Sequence, residues 1–142
     1  MTREEFNTYL QSIGGLVNGW KSNVPPITDC YFMEHSSGWY EMEKQLIEDL
    51  IKLGWNKEVC QIKEKFGGLR FYINEGSKEI HDRITQAESE SYKICEICGS
   101  REHIGTTSGW ITTMCEPCAI KEFKNKPEPK DFNRFWTKKH IK

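Results

Sequence analysis

The chain has 142 residues, of which 37% are hydrophobic, so it can form one domain with a modest core. Its net charge of -1 and mean hydropathy of -0.69 argue against a generic polyanion binder and against an integral membrane protein. No window reaches the roughly 18 apolar residues of a membrane span, and the first ten residues lack the apolar stretch of a secretory signal. We therefore expect a cytoplasmic protein.

The first helix and a long loop are predicted before residue 38. Thr2 and Glu5 form a capping-box pattern that begins the helix, and Gly14 ends it. The apolar residues at helical spacing are Phe6, Tyr9, Leu10 and Ile13. Residues 18–37 contain two consecutive prolines and little periodicity, so we expect a loop there.

The second helix is predicted to begin at Gly38-Trp39-Tyr40 and to end at Gly54. Its apolar stripe consists of Trp39, Met42, Leu46, Leu50 and Leu53. Free amide groups in the first turn of a helix favour an anion, and Trp39 and Tyr40 would add a stacking surface there. The alternative is that Trp39 closes the core at this end of the helix.

A β-hairpin is the strongest strand signal. Residues 59–65 and 69–74 alternate in polarity on either side of Phe66-Gly67-Gly68, a turn that accepts positive φ angles. The outward face carries three cations with no acid between them, and the ligand-binding residues predicted there are Lys63, Lys65, Arg70 and Tyr72. The cations could clamp phosphate oxygens while the tyrosine stacks on a base. The alternative is a solvated polar face whose glycines serve only the turn.

A third helix is predicted from Ser77 to about Tyr92. The residues expected on its core side are Ile80, Ile84, Ala87 and Ser91. This helix completes an α+β body, which we assign to residues 1–92.

Two CxxC pairs, Cys95–Cys98 and Cys115–Cys118, are separated by sixteen residues. Their four thiolates can complete the tetrahedral coordination of a structural Zn²⁺ ion, at a spacing typical of a zinc ribbon or knuckle. A redox CxxC, or two accidental pairs, are the alternatives. Four thiolates leave no position for a catalytic water, so the metal would hold the fold and perform no chemistry itself.

The zinc segment is assigned to residues 93–120. Within it, residues 104–107 and 110–113 are predicted to pair around Ser108-Gly109 as the hairpin of a ribbon. His103 lies between the cysteine pairs, where it would be a spare ligand, a hydrogen-bond partner of a thiolate or an exposed loop residue. With the body, this segment predicts an α+β fold: helices packed on a short β-hairpin, with a C-terminal four-cysteine zinc ribbon or knuckle.

Residues 121–142 are assigned to a basic aromatic tail. Residues 119–142 carry eight Lys or Arg against three acids, a charge of +5 that leaves -6 for residues 1–118. Residues 131–140 are predicted to form a short amphipathic helix after two prolines. The aromatic residues on one side of it are Phe132, Phe135 and Trp136. They would either bind nucleic acid or a partner, or pack the tail back on the body.

Enzyme signatures are scarce. The histidines are scattered, and no HExxH or similar pattern occurs. Cys30 and Cys60 have no CxxC partner, which suits free thiols in a reducing compartment. We predict no catalytic residues and expect a binding protein rather than an enzyme.

Several stretches together resemble a known family. They are Gly38-Trp39-Tyr40, Gln61 to Tyr72, Ala87-Glu88, Cys95-Glu96-Ile97-Cys98-Gly99 and Gly109-Trp110. The pattern is similar to a family of small uncharacterised proteins of bacteriophages, prophages and bacteria that carry the motif KEKFGGLRFY. The resemblance covers residues 38–118 and implies a zinc knuckle, a phage-like origin and therefore the host cytoplasm. It brings no established activity.

Three functions stay open at this point. The first is a zinc-stabilised, non-enzymatic and phage-encoded protein that binds a phosphorylated ligand, such as a nucleotide signal, and so inhibits host antiviral defence. The second is an adaptor that binds a host protein or nucleic acid through the zinc knob and the basic tail. The third is a small hydrolase or nuclease, for which the sequence offers no recognisable acid–base set.

Overall fold

A computed structural model describes residues 1–123 and 135–139. The chain is a mixed α+β protein of helices and small sheets, as the sequence predicted. The helices are α1 (Arg3–Ser12), α2 (Tyr40–Lys52), α3 (Lys78–Ser91) and α4 (Glu116–Phe123). The strands are β1 (Val17–Asn18), β2 (Met33–Glu34), β3 (Glu58–Val59), β4 (Gln61–Lys65), β5 (Gly68–Tyr72), β6 (Ile104–Thr107), β7 (Thr113–Cys115) and β8 (Trp136–Lys138).

The ends of α1 and α3 lie close to where the sequence placed them. The capping box of α1 is present, since Thr2 accepts from the Glu5 amide while the Glu5 carboxylate accepts from the Thr2 amide. Ser77 caps α3 through the amide of Ile80. The buried residues of α3 are the four predicted, Ile80, Ile84, Ala87 and Ser91.

The entry to α2 differs from the prediction. Residues Ser37–Trp39 form a 3₁₀ turn, and the α-helix begins only at Tyr40. Gly54 ends the helix at φ +91°, as expected of a C-terminal glycine. Leu53, however, is 42% exposed and does not belong to the buried stripe, because it lies at the C-cap where the chain leaves the helix.

The region predicted as a loop contributes to the central sheet. Strand β2 runs parallel to β4, and β4 runs antiparallel to β5, so the order is β2-β4-β5. Ile62 lies opposite Phe71 on the face of the sheet that packs on α3. Both residues belong to the larger of two hydrophobic cores, here called the first core. This core also takes in Phe6 and Leu10 of α1 and the fully buried Trp39.

A second, smaller core surrounds the cysteine pairs. Its sheet has the order β7-β6-β8, with both neighbours antiparallel to β6. The strand predicted to begin at residue 110 is β7, which begins only at Thr113. Trp110 lies in the connection between β6 and β7 and is 84% exposed. The buried residues of this core are Cys95, Ile104, Met114, Cys115, Ala119 and Trp136.

The predicted C-terminal helix is wrong at Trp136–Lys138, where the structure has a strand instead. Trp136 begins strand β8, and its buried indole donates to the Met114 carbonyl at 3.3 Å. Phe135 stacks on Phe123 of α4 with ring centroids 5.4 Å apart. Phe132 and the two prolines of the tail lie outside the described residues. Strand β8 therefore pairs with the second sheet, and Trp136 belongs to the second core.

The two cores are joined by direct backbone contact at Gly38. Its amide donates to the Glu96 carbonyl at 2.7 Å, and a Cβ atom at this position would overlap the carbonyl oxygens of Cys95 and Glu96. The Glu96 carboxylate in turn accepts from the Ser36 amide at 2.9 Å. Only glycine permits this approach of the 3₁₀ turn to the first cysteine pair.

We therefore expect Gly38→Ala to destabilise the protein by about 1–3 kcal/mol, because the methyl group must push two backbone segments apart. Denaturant unfolding measures this, and Ser37→Ala at the exposed neighbouring residue is the matched control. Equal free energies of unfolding for the two variants would show that the contact is dispensable.

Candidate functional site

The four cysteines of the two CxxC pairs meet in one cluster. The Sγ atoms of Cys95, Cys98, Cys115 and Cys118 all lie within 4.8 Å of one another. Cys98 and Cys115 are 3.6 Å apart at sulfur, too far for a disulfide and close to the edge of about 3.8 Å in a ZnS₄ tetrahedron with 2.3 Å bonds. All four are free thiols. The cluster could hold a metal ion.

The local backbone structure orients these four sulfur atoms towards one another. Strand β7 ends at Cys115 and α4 begins at Glu116, so the second pair lies across a strand-to-helix junction. The backbone of Ser100 hydrogen-bonds to Cys98, and that of Cys118 to Cys115. Gly99, at φ +83°, turns the chain after the first pair. Such backbone donors hold thiolates in position around a metal.

The donor set fits a closed structural site for a thiophilic ion. Four thiolates suit Zn²⁺, and with four protein ligands no position is open for a reacting water. His103 does not join the sulfurs; it is exposed, at φ +54°, and its Nδ1 lies 3.1 Å from Lys138 Nζ. Of the three roles considered for this histidine, the exposed loop residue describes its position.

The predicted cationic face lies on the β4–β5 hairpin. Strands β4 and β5 turn at Phe66 and Gly67, both at positive φ, and the register sets Lys63 opposite Arg70. Because facing residues of an antiparallel pair share a side of the sheet, Lys63, Lys65 and Arg70 lie together. Tyr72 is 41% exposed on that side, with Lys63 Nζ 5.9 Å from its ring centroid.

One expectation about this face is corrected. No acid was predicted between the cations, but the parallel pairing of β2 with β4 sets Glu34 beside Lys63. Across the sheet the row is Glu34, Lys63 and Arg70. Within the residues that the structure describes, no ion pair involves any of these three.

The prediction that Trp39 and Tyr40 offer a stacking surface for a ligand is also wrong. Trp39 is 0% exposed and donates through Nε1 to the Ile94 carbonyl at 3.1 Å, while Tyr40 stacks on Phe6 at 4.8 Å between centroids. Neither ring has a free face for a ligand. The Gly38 amide is occupied by Glu96, so the turn before α2 does not offer the anion site that the sequence predicted. The core-closing alternative for Trp39 is the correct one.

The glycines of the hairpin turn serve packing. The Gly67 carbonyl accepts from Thr113 Oγ1 of β7 at 2.7 Å, and a Cβ at Gly68 would run into the Tyr92 ring. The turn thus docks on the second core and on the C-terminal end of α3. Gly67 is explained by its φ of +84° and Gly68 by the close approach of Tyr92, so neither glycine requires a ligand near the backbone.

Arg70 is held in place by groups that the sequence did not reveal. Its Nη2 lies 3.1 Å from the Tyr92 hydroxyl, and its Nη1 donates to the Leu69 carbonyl at 2.9 Å. Lys139 lies over the aromatic ring of the same tyrosine, with its Nζ 5.1 Å from the ring centroid. Tyr92 and Lys139 belong to this surface through tertiary contacts alone, and neither stands in a recognisable motif.

A buried ionisable pair was also missed. The His35 Nε2 bonds to Glu43 Oε1, and both side chains are 0% exposed. His35 Nδ1 lies 2.7 Å from the Ser36 carbonyl oxygen. Burial disfavours the charged ring, but the charge and hydrogen bond of Glu43 and the Ser36 carbonyl together raise the pKa of His35 above its ordinary value.

Comparison with known proteins adds nothing to this site. No family model, no curated protein and no solved structure matches the chain. Among the described residues, the helices are all too short or too polar to cross a lipid bilayer. The cysteine cluster and the cationic face are therefore supported by their geometry alone.

Proposed function

We propose that this protein is a non-enzymatic, zinc-stabilised binding protein whose hairpin cations hold a phosphorylated ligand. The observation that carries the proposal is the register of β4 and β5, which sets Lys63 opposite Arg70 with Lys65 on the same side. Within the described residues none of the three forms an ion pair, although the Glu88 carboxylate, which accepts from the Phe71 amide, acts electrostatically on Arg70. Elsewhere, exposed cations such as Lys78 do have acidic partners.

Arg70 is the best placed of these groups. Its hydrogen bonds to the Leu69 carbonyl and to Tyr92 fix the guanidinium while leaving other N–H groups for an anion. A preorganised guanidinium loses less conformational entropy on binding than a free one. Tyr72, partly exposed at the other end of β5, offers a ring on which a base could stack.

We expect Arg70→Ala to weaken binding of a phosphorylated ligand roughly ten- to a hundredfold, the value of one charge-assisted contact. Isothermal titration calorimetry with ATP measures this at low salt. Lys78→Ala, which removes an exposed cation already paired with Asp82, is the control and should bind as wild type does. Absence of heat with wild-type protein, or equal affinity of the two variants, would contradict the proposal.

The biological identity of the ligand stays a prediction. A phage origin rests on the resemblance stated above, whereas a nucleotide signal of host antiviral defence is our inference from that origin together with the hairpin cations. Native mass spectrometry of the purified protein tests both the ligand and the metal, because a co-purified nucleotide and a bound Zn²⁺ ion each add a defined mass.

An adaptor is the second candidate, and the exposed Trp110 beside the part-exposed Ile111 favours it. The buried Trp136 weakens it, since this aromatic residue of the basic segment is not free to contact a partner.

A hydrolase or nuclease is supported least. The only buried acid–base pair in the described chain, His35 and Glu43, is closed off from any substrate.

A further inference from the structure

The C-terminal strand brings a further cation to the hairpin surface. Strand β8 pairs antiparallel with β6, and the Lys139 amide donates to the Ile104 carbonyl at 2.8 Å, which fixes the backbone at this residue. The side chain then lies over Tyr92, with Nζ 5.1 Å from the ring centroid. Its neighbour Lys138 has its Nζ at His103 instead.

Tyr92 lies on the same side of the sheet as the hairpin cations. Gly68 faces Lys65 across the hairpin, and a Cβ built on Gly68 would meet the Tyr92 ring and hydroxyl. The ring therefore covers the outward face of β5 at this position. Arg70, two residues along the same face, reaches the Tyr92 hydroxyl at 3.1 Å. Arg70 and Lys139 thus contact one side chain from two different segments of the chain.

Lys139 has the environment of a binding group. It is partly buried, and this desolvation lowers its pKa. None of the ion pairs found in residues 1–123 and 135–139 includes it. An ammonium group that has lost part of its hydration, with no carboxylate partner there, gains more from an arriving anion than a fully solvated one does.

We propose that Lys139 completes the anion site of the hairpin, and that the ligand carries at least two phosphate groups. This inference rests on the proposed function. Four cations, Lys63, Lys65, Arg70 and Lys139, share a surface on which Glu34 is the acid that strand pairing supplies. Glu34, and Glu88 whose carboxylate acts on Arg70, reduce the excess of positive charge on this surface. Because the four cations come from three different strands or strand ends, we expect one phosphate group to contact only some of them. We expect a diphosphate or triphosphate, with its greater charge and length, to contact more of these cations than a single phosphate group does.

The test compares Lys139→Ala with Lys138→Ala in calorimetric titrations with ATP and with AMP. Wild-type protein is expected to bind ATP at least about tenfold more tightly than AMP, since each added charge-assisted contact contributes this much or more. Lys139→Ala should weaken ATP binding about tenfold, whereas Lys138→Ala should stay within about twofold of wild type. Lys139→Arg, which keeps the charge, should restore most of the affinity.

The outcomes distinguish failure of the proposed Lys139 role from failure of the proposed function. If Arg70→Ala weakens ATP binding while Lys139→Ala binds like Lys138→Ala, the role of Lys139 is overturned and the hairpin site stands. Equal affinities for ATP and AMP would overturn the ligand class. If wild-type protein gives no heat with either nucleotide, the proposed function itself fails. Circular dichroism melting of each variant shows whether an affinity loss reflects unfolding.

Discussion

Removal of the proposed Zn²⁺ ion is expected to unfold the second core. Binding of a structural Zn²⁺ ion contributes roughly 10–16 kcal/mol in zinc-finger peptides, and this free energy is coupled to folding. Among the described residues, six buried ones form the second core, and two of them, Cys95 and Cys115, are themselves proposed ligands. Without the ion these sulfurs lose their common partner, and the remaining apolar residues are too few to offset chain entropy.

The same result is expected of Cys98→Ser, which removes one ligand. Elemental analysis should find one zinc per chain in the wild type and much less in the variant. Near-ultraviolet circular dichroism should lose the signal of the buried Trp136 on chelation. Cys60→Ser is the matched control, because this cysteine lies outside the cluster and a serine hydroxyl can keep its bond to Asn74.

Two results would contradict the metal assignment. One is a metal content well below one ion per chain in protein prepared with zinc present. The other is a Cys98→Ser variant whose second core keeps its near-ultraviolet signal and its melting temperature. The first would indicate that the four thiols pack without an ion, and the second that the ion does not hold the fold.

Features set by neighbouring residues were predicted well from the sequence. The capping box at Thr2 and Glu5, the end of α2 at Gly54 and the buried side of α3 each depend on residues within a few positions of one another. The cysteine cluster was also predictable, since CxxC spacing restricts how thiolates can meet. In each case the signal is local chemistry.

Features set by distant pairing were missed. Nothing in the chain before β8 indicates that Trp136 should pair with Thr107, and the helical reading of the tail followed from aromatic spacing alone. Glu34 reaches Lys63 only because β2 runs parallel to β4. Likewise, the burial of Trp39 depends on the docking of Gly38 against Glu96. These contacts join residues that are 29 to 58 positions apart, and single-sequence patterns carry no information on them.

Removal of one partner of the buried His35–Glu43 pair is expected to lower the stability of the fold strongly. His35 has acceptors on both ring nitrogens, the Ser36 carbonyl and the Glu43 carboxylate, an arrangement that favours the doubly protonated ring. The second oxygen of Glu43, Oε2, is buried with no hydrogen-bond partner among the described residues. Glu43 therefore depends on His35 to offset the cost of burying its charge.

Replacing His35 with alanine should lower the free energy of unfolding by about 3–5 kcal/mol, because it leaves a buried carboxylate unpaired. Glu43→Gln is the control, since it removes the charge but keeps an oxygen that can accept from the ring. We expect it to cost less. Urea unfolding of both variants measures the difference. A loss below about 1 kcal/mol for His35→Ala would mean that Glu43 is stabilised by other means.

The pH dependence of stability provides a second test of the same pair. Glu43 and the Ser36 carbonyl raise the pKa of His35, against the effect of burial, above the value of about 6.5 in the unfolded chain. The stabilisation is therefore fully present below pH 6.5 and is lost as the pH rises through the higher pKa of the folded state. We expect the free energy of unfolding of the wild type, relative to Glu43→Gln, to fall over that range. The subtraction removes the contributions of the cysteine cluster, which both proteins share. A difference that stays constant or grows with pH would show that the ring is neutral in the folded protein.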